Sequence, residues 1–388
     1  MNLQLVSRRA MLAIGTAAIA LAGCGGGGYE APPPPPVVLE TITAVLTGDQ
    51  EAPTRVDTGA TGVATLSLNR GTRTVSGTVT LDGVIPTAAH IHAGAAGAAG
   101  AVVVPLTVSP TYEVTLPATV LTTAQLDSLD AGELYVNIHS AAHAGGEIRG
   151  QLGREVYTAR LTGAQETTPV ASSATGAGYV VLNPKTLAIS GEVELSGITA
   201  TAAHIHTGAF GTNGAVLVGL TDHGGHGHFT VPDNTVLTQA QADALRAGGL
   251  YFNAHSTGNA GGEIRGQIGR RVLLATATGA QEVASNASTA TGRAFVTYDA
   301  TTRGIDGSIT LTGITATIAH IHMAAAGVNG PVAVSLTETS AGSGVWTVPA
   351  GTTLTAAQAQ ALLEAGMYFN AHSAAFPTGE IRGQLGLQ

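Results

Sequence analysis

The chain has 388 residues, enough for two to four domains at the usual size of about 100–200 residues. Glycine is abundant at 53 residues, charged residues make up 11 %, aromatics 4 % and apolar residues 44 %, which argues against disorder throughout; glycine follows no every-third rule, which excludes collagen. With 16 Lys plus Arg against 25 Asp plus Glu, a net of −9, no basic stretch exists to release phosphate counterions, so no nucleic-acid partner is expected. The single cysteine, Cys24, permits no internal disulfide and no cysteine-based zinc or iron–sulfur site within one chain.

Residues 1–23 read as an export signal. Arg8 and Arg9 supply the positive start, and Ala10–Gly23 is an uncharged run of small and aliphatic residues, shorter than a membrane span. It closes on Leu21-Ala22-Gly23-Cys24, which resembles the lipobox of bacterial lipoproteins. That resemblance implies cleavage before Cys24 and lipid on it, so that a membrane is one partner. Gly25 after the cysteine implies the outer membrane, with secretion as the alternative. Ser7-Arg8-Arg9 before Ala10-Met11-Leu12 also resembles a twin-arginine signal. Gly25–Gly28 supplies slack and Pro32–Pro36 a stiff extended rod, so 24–38 reads as a tether.

The remainder repeats. Ala89-His90-Ile91-His92 returns at Ala203–His206 and Ala319–His322, and Gly146-Glu147-Ile148-Arg149-Gly150-Gln151 returns at Gly262–Gln267 and Gly379–Gln384. Gln50-Glu51, Gln165-Glu166 and Gln281-Glu282 mark the start of each copy. A period of about 115 residues is a whole domain rather than a solenoid unit, which places three domains at 39–153, 156–269 and 272–386. Almost nothing separates them, so their relative orientation is restricted.

Within a copy, segments such as Gly62–Leu68 and Thr74–Leu81 alternate with a period of two and are rich in Val, Thr and Leu. Seven or eight short strands per copy predict an all-β fold of three antiparallel sandwiches. One helix interrupts each. Thr122-x-x-Gln125 is a capping box, repeated at Thr238–Gln241 and Thr355–Gln358, and Gly132 stands where a left-handed C-terminal cap belongs.

Residues two apart on a strand face the same way. His90 and His92 therefore project together, as do Tyr135, Asn137 and His139, and Glu147 and Arg149. Their convergence would gather three imidazoles with a carboxylate, an amide and a guanidinium. His204, His206, His255, Glu263 and Arg265 repeat the set, as do His320, His322, His372, Glu380 and Arg382, so that nine of 13 histidines belong to it. Three neutral imidazoles suit copper or zinc. The glutamates would then be further ligands or, like the arginines, partners behind them. A purely structural polar network satisfies the same pattern. Asp222–His228 reads as an exposed hairpin tip, His143 as incidental and Trp346 as core, and Gly94-Ala95-Ala96-Gly97 lacks the Gly-Lys-Ser/Thr of a phosphate loop. No Gly-x-Ser-x-Gly elbow and no nucleophile–base pair is evident, so a binding module rather than an enzyme is expected.

The pairing of Ala-His-Ile-His with Tyr-x-Asn-x-His-Ser and Gly-Glu-Ile-Arg-Gly-Gln-Leu resembles the CHRD domain, the module first recognised in chordin. The resemblance covers nearly everything after residue 38 and implies an extracytoplasmic interaction module of the cell envelope, with an extracellular or envelope protein or a polysaccharide as partner. His90, His92 and His139 also resemble, more weakly, the copper ligands of copper/zinc superoxide dismutase, which would make Arg149 the counterpart of its active-site arginine. The bridging histidine, zinc loop and disulfide of that family are not evident here.

Overall fold

The computed structural model describes residues 38–388. The expectations for the export signal, for lipid on Cys24 and for the tether up to residue 37 lie outside the described residues.

In the first repeat nine strands surround one core: β1 (Glu40–Thr47), β2 (Thr61–Asn69), β3 (Thr74–Asp82), β4 (Ala88–Ala93), β5 (Val102–Pro105), β6 (Thr107–Val108), β7 (Val114–Val120), β8 (Leu134–His139) and β9 (Ile148–Gln151). They pair antiparallel in the order β5-β4-β8-β9-β1-β2-β3-β7-β6. Because Leu106 alone separates β5 from β6, the two ends of the sheet are brought together. The expected sandwich is therefore realised as one nearly closed sheet folded over on itself, which leaves little open edge. Alternation sends Leu46, Leu66, Leu68, Ile91, Val136, Ile138 and Ile148 inward, where they are buried.

The helix α1 (Thr123–Ala131) precedes β8. The Thr122 hydroxyl accepts from Gln125 N at 3.1 Å and the Gln125 side chain accepts from Thr122 N at 2.8 Å, so the expected capping box forms. Gly132 ends the helix at φ +79°, a conformation costly for any residue with a Cβ. Leu129 carries the helix into the core.

The second and third repeats follow the same strand order, the third adding Gly386–Leu387 beside Arg271–Thr278. The three cores share no residue, yet Leu39–Gln388 forms one compact unit. Arginines sew it together. Arg55 donates to Ala159 O at 3.1 Å and Gly178 O at 2.8 Å, Arg271 pairs with Asp49 and Asp57, and Arg303 donates to Gly59 O at 2.9 Å and Asp82 at 2.6 Å. The restricted orientation expected from the short connections thus has a polar cause.

Candidate metal centre

Strand β4 turns Ile91 into the core and His90 and His92 outward. Register then places His90 opposite Asn137, His92 opposite Tyr135 and Ala88 opposite His139 on β8. The next strand, β9, sets Arg149 opposite Asn137 and Gln151 opposite Tyr135. One outer face of the sheet therefore carries all of these polar side chains.

The three imidazoles meet. His90 Nδ1 lies 3.1 Å from His139 Nε2, and ring centroids are 5.5 Å apart for His90–His92 and 6.1 Å for His92–His139. The second repeat brings together His204, His206 and His255, and the third His320, His322 and His372, with one ring nitrogen from each member of a trio within 4.8 Å of the others. That spacing approaches the roughly 3–4 Å that metal–nitrogen bonds of about 2.0–2.1 Å impose.

Backbone carbonyls fix the tautomers. His92 Nδ1–H donates to Gly100 O at 2.9 Å and His139 Nδ1–H to Ala144 O at 3.0 Å. A neutral imidazole has one N–H, so both Nε2 lone pairs are left for the cluster. His206 and His255 donate to Gly214 O and Ala260 O, and His322 and His372 to Gly330 O and Pro377 O, at 2.9–3.1 Å. Nε2 of His92, His206 and His322 is buried without a partner. Burial first, and then the neighbouring imidazoles, hold His90, His204 and His320 below the usual 6.5. Burial likewise lowers His139, His255 and His372, against an opposing backbone hydrogen bond. Three imidazoles whose ring nitrogens lie within 4.8 Å of one another form a donor set that fits copper or zinc.

Behind the imidazoles lies a second layer. Tyr135 stacks on His92, with centroids 5.0 Å apart and planes 13° from parallel, and the Arg149 guanidinium carbon sits 3.5 Å from the Tyr135 centroid. Arg149 donates to Ala98 O at 2.8 Å, Ala95 O at 2.7 Å and Gln151 at 3.1 Å, while Gly100 N donates to the Tyr135 hydroxyl at 3.1 Å. Residues 94–100, rejected in sequence as a phosphate loop, thus wrap their carbonyls around a guanidinium and present Gly100 O to His92. Arg265 and Arg382 repeat this, donating to Ala209 O and Thr212 O and to Ala325 O and Val328 O. The arginines act through Tyr135, Tyr251 and Tyr368, and their guanidinium hydrogen bonds go to these carbonyls and to Gln151, Gln267 and Gln384. Arg149 is therefore turned away from the imidazoles and is not placed as the dismutase resemblance implies.

Glu147, Glu263 and Glu380 are not brought to the imidazoles. Glu147 accepts from Thr58 at 2.9 Å, Glu263 from Ser172 at 2.7 Å and from Ser256, and Glu380 from Ser288 at 2.7 Å. Each lies one residue before the short strand that opens at Ile148, Ile264 or Ile381, where it ties down the loop that follows β1 or its counterpart. The carboxylate that does reach this face was missed as a site residue. Asn137 Nδ2 donates to both oxygens of Glu51 at 3.1 Å, Asn253 donates to Glu166 at 2.7 Å and Asn370 to Glu282 at 2.6 Å. Burial pushes the Glu51 carboxyl up to about 7 and raises Glu166 and Glu282 as well. Gly146, at φ +130°, makes room for this pair, since a Cβ there would come within 2.6 Å of the Asn137 amide. The Gln-Glu pair that opens every copy is thus more than a boundary mark, since its glutamate is the partner of the strand asparagine.

The incidental features behave as expected. Thr221–Asp222 and His228–Thr230 pair as a hairpin with 223–226 exposed at its tip, and His228 sits 3.2 Å from Glu192. His143 contributes its backbone, donating from N to Ser140 Oγ at 3.1 Å, a role Asn259 and Phe376 fill equally well. Trp346 is in the core.

Fold and site together define an all-β array of three domains, each presenting a three-imidazole face. The chain belongs to the CHRD domain family, whose model matches residues 42–152, 157–268 and 273–385. In three copies, these domains make it a domain-based interaction module. No curated protein and no solved structure matches the chain significantly.

Proposed function

We propose that this module takes up copper or zinc, one ion per domain, outside the cytoplasm, and that lipid on Cys24 holds it to a membrane. One observation carries the metal reading. In all three clusters a buried imidazole Nε2 faces its two neighbours with no hydrogen-bond partner. Buried polar groups are usually paired, and here the same ring nitrogen is left over at the same place in every copy. A metal ion supplies the missing partner. His90 Nδ1, His92 Nε2 and His139 Nε2 would be the ligands in the first domain.

Elemental analysis of protein purified without a histidine tag, stripped and then offered Cu²⁺ or Zn²⁺, should find three ions per chain. Joint replacement His90→Ala and His92→Ala should leave two. Binding of less than about 0.3 equivalents per domain rejects the reading, since a preformed three-imidazole site loads fully at excess ion. For the anchor, a radiolabelled fatty acid should label the wild-type chain and not Cys24→Ala. Equal labelling of both removes that part.

A further inference from the structure

We infer that each following domain braces the metal cluster of the domain before it, so that Tyr179 positions the first site and Phe295 the second. The inference rests on the metal reading above. In the first domain the loop 94–100 gives Gly100 O to His92 and holds Arg149 through Ala95 O and Ala98 O. Its outer side is occupied by the second domain. Gly97 stands at φ +79°, and a Cβ there would come 2.8 Å from the Tyr179 ring, so the ring lies directly on the turn.

The second domain repeats the arrangement with different residues. Its loop 208–214 gives Gly214 O to His206 and holds Arg265 through Ala209 O and Thr212 O. Phe210, on that loop, meets Phe295 of the third domain with centroids 4.8 Å apart. Tyr179 and Phe295 are each the fifth residue of equivalent strands, Thr175–Leu182 and Thr291–Tyr298. The corresponding turn of the third domain is bare among the described residues. Gly327 has open space around it and Val328 is 55 % exposed, although the same loop gives Gly330 O to His322.

A carbonyl held in place before the ion arrives spares the ordering that a loose loop must undergo on ligation. Linkage makes the effect mutual: a brace that tightens the site is itself tightened when the site fills. Tyr179 and Phe295 touch no imidazole of the sites concerned and act only through the loops. His372 is buried whereas His139 and His255 are half-exposed, so the brace is read by comparing each site with itself.

The test uses the full chain with His204, His206, His320 and His322 changed to Ala, leaving the first site, and titrates Cu²⁺ against a competing chelator. Tyr179→Ala should weaken binding about tenfold, within the range usual for coupled sites, and Tyr179→Phe should restore it. Phe295→Ala should do the same in a chain retaining only the second site. A parallel measurement needs no metal: in long-range ¹⁵N–¹H spectra of the otherwise wild-type chain, Tyr179→Ala should alter the His92 Nδ1–H signal and leave those of His206 and His322. Unchanged affinity together with an unchanged His92 signal overturns the inference. Absence of metal binding in the parent chain with a responding His92 signal overturns the metal reading alone. Should Tyr179→Ala fail to fold, Tyr179→Leu carries both measurements, with the same outcomes deciding.

Discussion

Saturating copper or zinc should raise the unfolding free energy of each domain by about 2.7 kcal/mol when the free ion stands a hundredfold above its dissociation constant, and EDTA should reverse the gain. The size follows from mass action alone, since the ion binds the gathered imidazoles of the folded state and not the separated ones of the unfolded chain. Its pH dependence follows from His90 and His139, whose charged forms burial disfavours. With His90 and His139 held below 6.5, protons begin to compete with the ion only below that pH, so the gain should be flat above about pH 6.5 and fall steeply beneath it. In the metal-free protein two linkages oppose each other. As pH falls past 6.5 the unfolded imidazoles bind protons first, and stability is lost until the lower folded values are passed. Glu51, raised to about 7 from the usual 4.5, binds its proton first in the folded state, so it adds stability as pH falls from about 7 toward 4.5. The acid limb should therefore be shallower without metal than with it. Thermal melts across pH with and without EDTA check both points, and a melt indifferent to EDTA at every pH would leave only a structural network.

Arg149→Ala should cost the first domain roughly 3–5 kcal/mol, because it orphans buried carbonyls and removes a cation from an aromatic face at once. Arg149 is 1 % exposed, and its loss strips Ala95 O, Ala98 O and Gln151 of their donor. The loop should loosen with it, so metal affinity at that site should fall while the other two hold. Arg149→Lys should recover little, since an ammonium lacks the planar fork that reaches both carbonyls. Urea unfolding with site-resolved metal titration measures both effects. A variant within about 1 kcal/mol of wild type would mean that the guanidinium is not the pin of the loop.

The parts of this structure written in strand periodicity were legible. His90 and His92 flank Ile91, and alternation alone puts them on one face away from the core. The helix was equally plain, because a Thr-x-x-Gln box and a terminal glycine are local chemistry. Local pattern could not say where Glu147 and Arg149 end. Standing two apart in one expected strand, they should share a face, but Glu147 stands outside the strand and turns to Thr58, while Arg149 turns into a carbonyl cage built by a distant loop. Glu51 was missed because its partner Asn137 lies 86 residues away, and only the folded sheet brings them together. The closing of each sandwich into one sheet was hidden for the same reason: it depends on Leu106 carrying the chain across the mouth of the sheet.

The seams between the three cores join guanidinium to carbonyl and carboxylate, and carry apolar contacts as well, Tyr179 on Gly97, Phe210 on Phe295 and Ala356 beside Gly83. Water can enter the polar part of such a joint by replacing hydrogen bonds one for one. Bending at these polar contacts would therefore cost less than opening the apolar ones, which bares their surface to water. Strong salt should ease that bending, and a guanidinium-to-alanine change at Arg55 should leave each bead folded but swinging more freely.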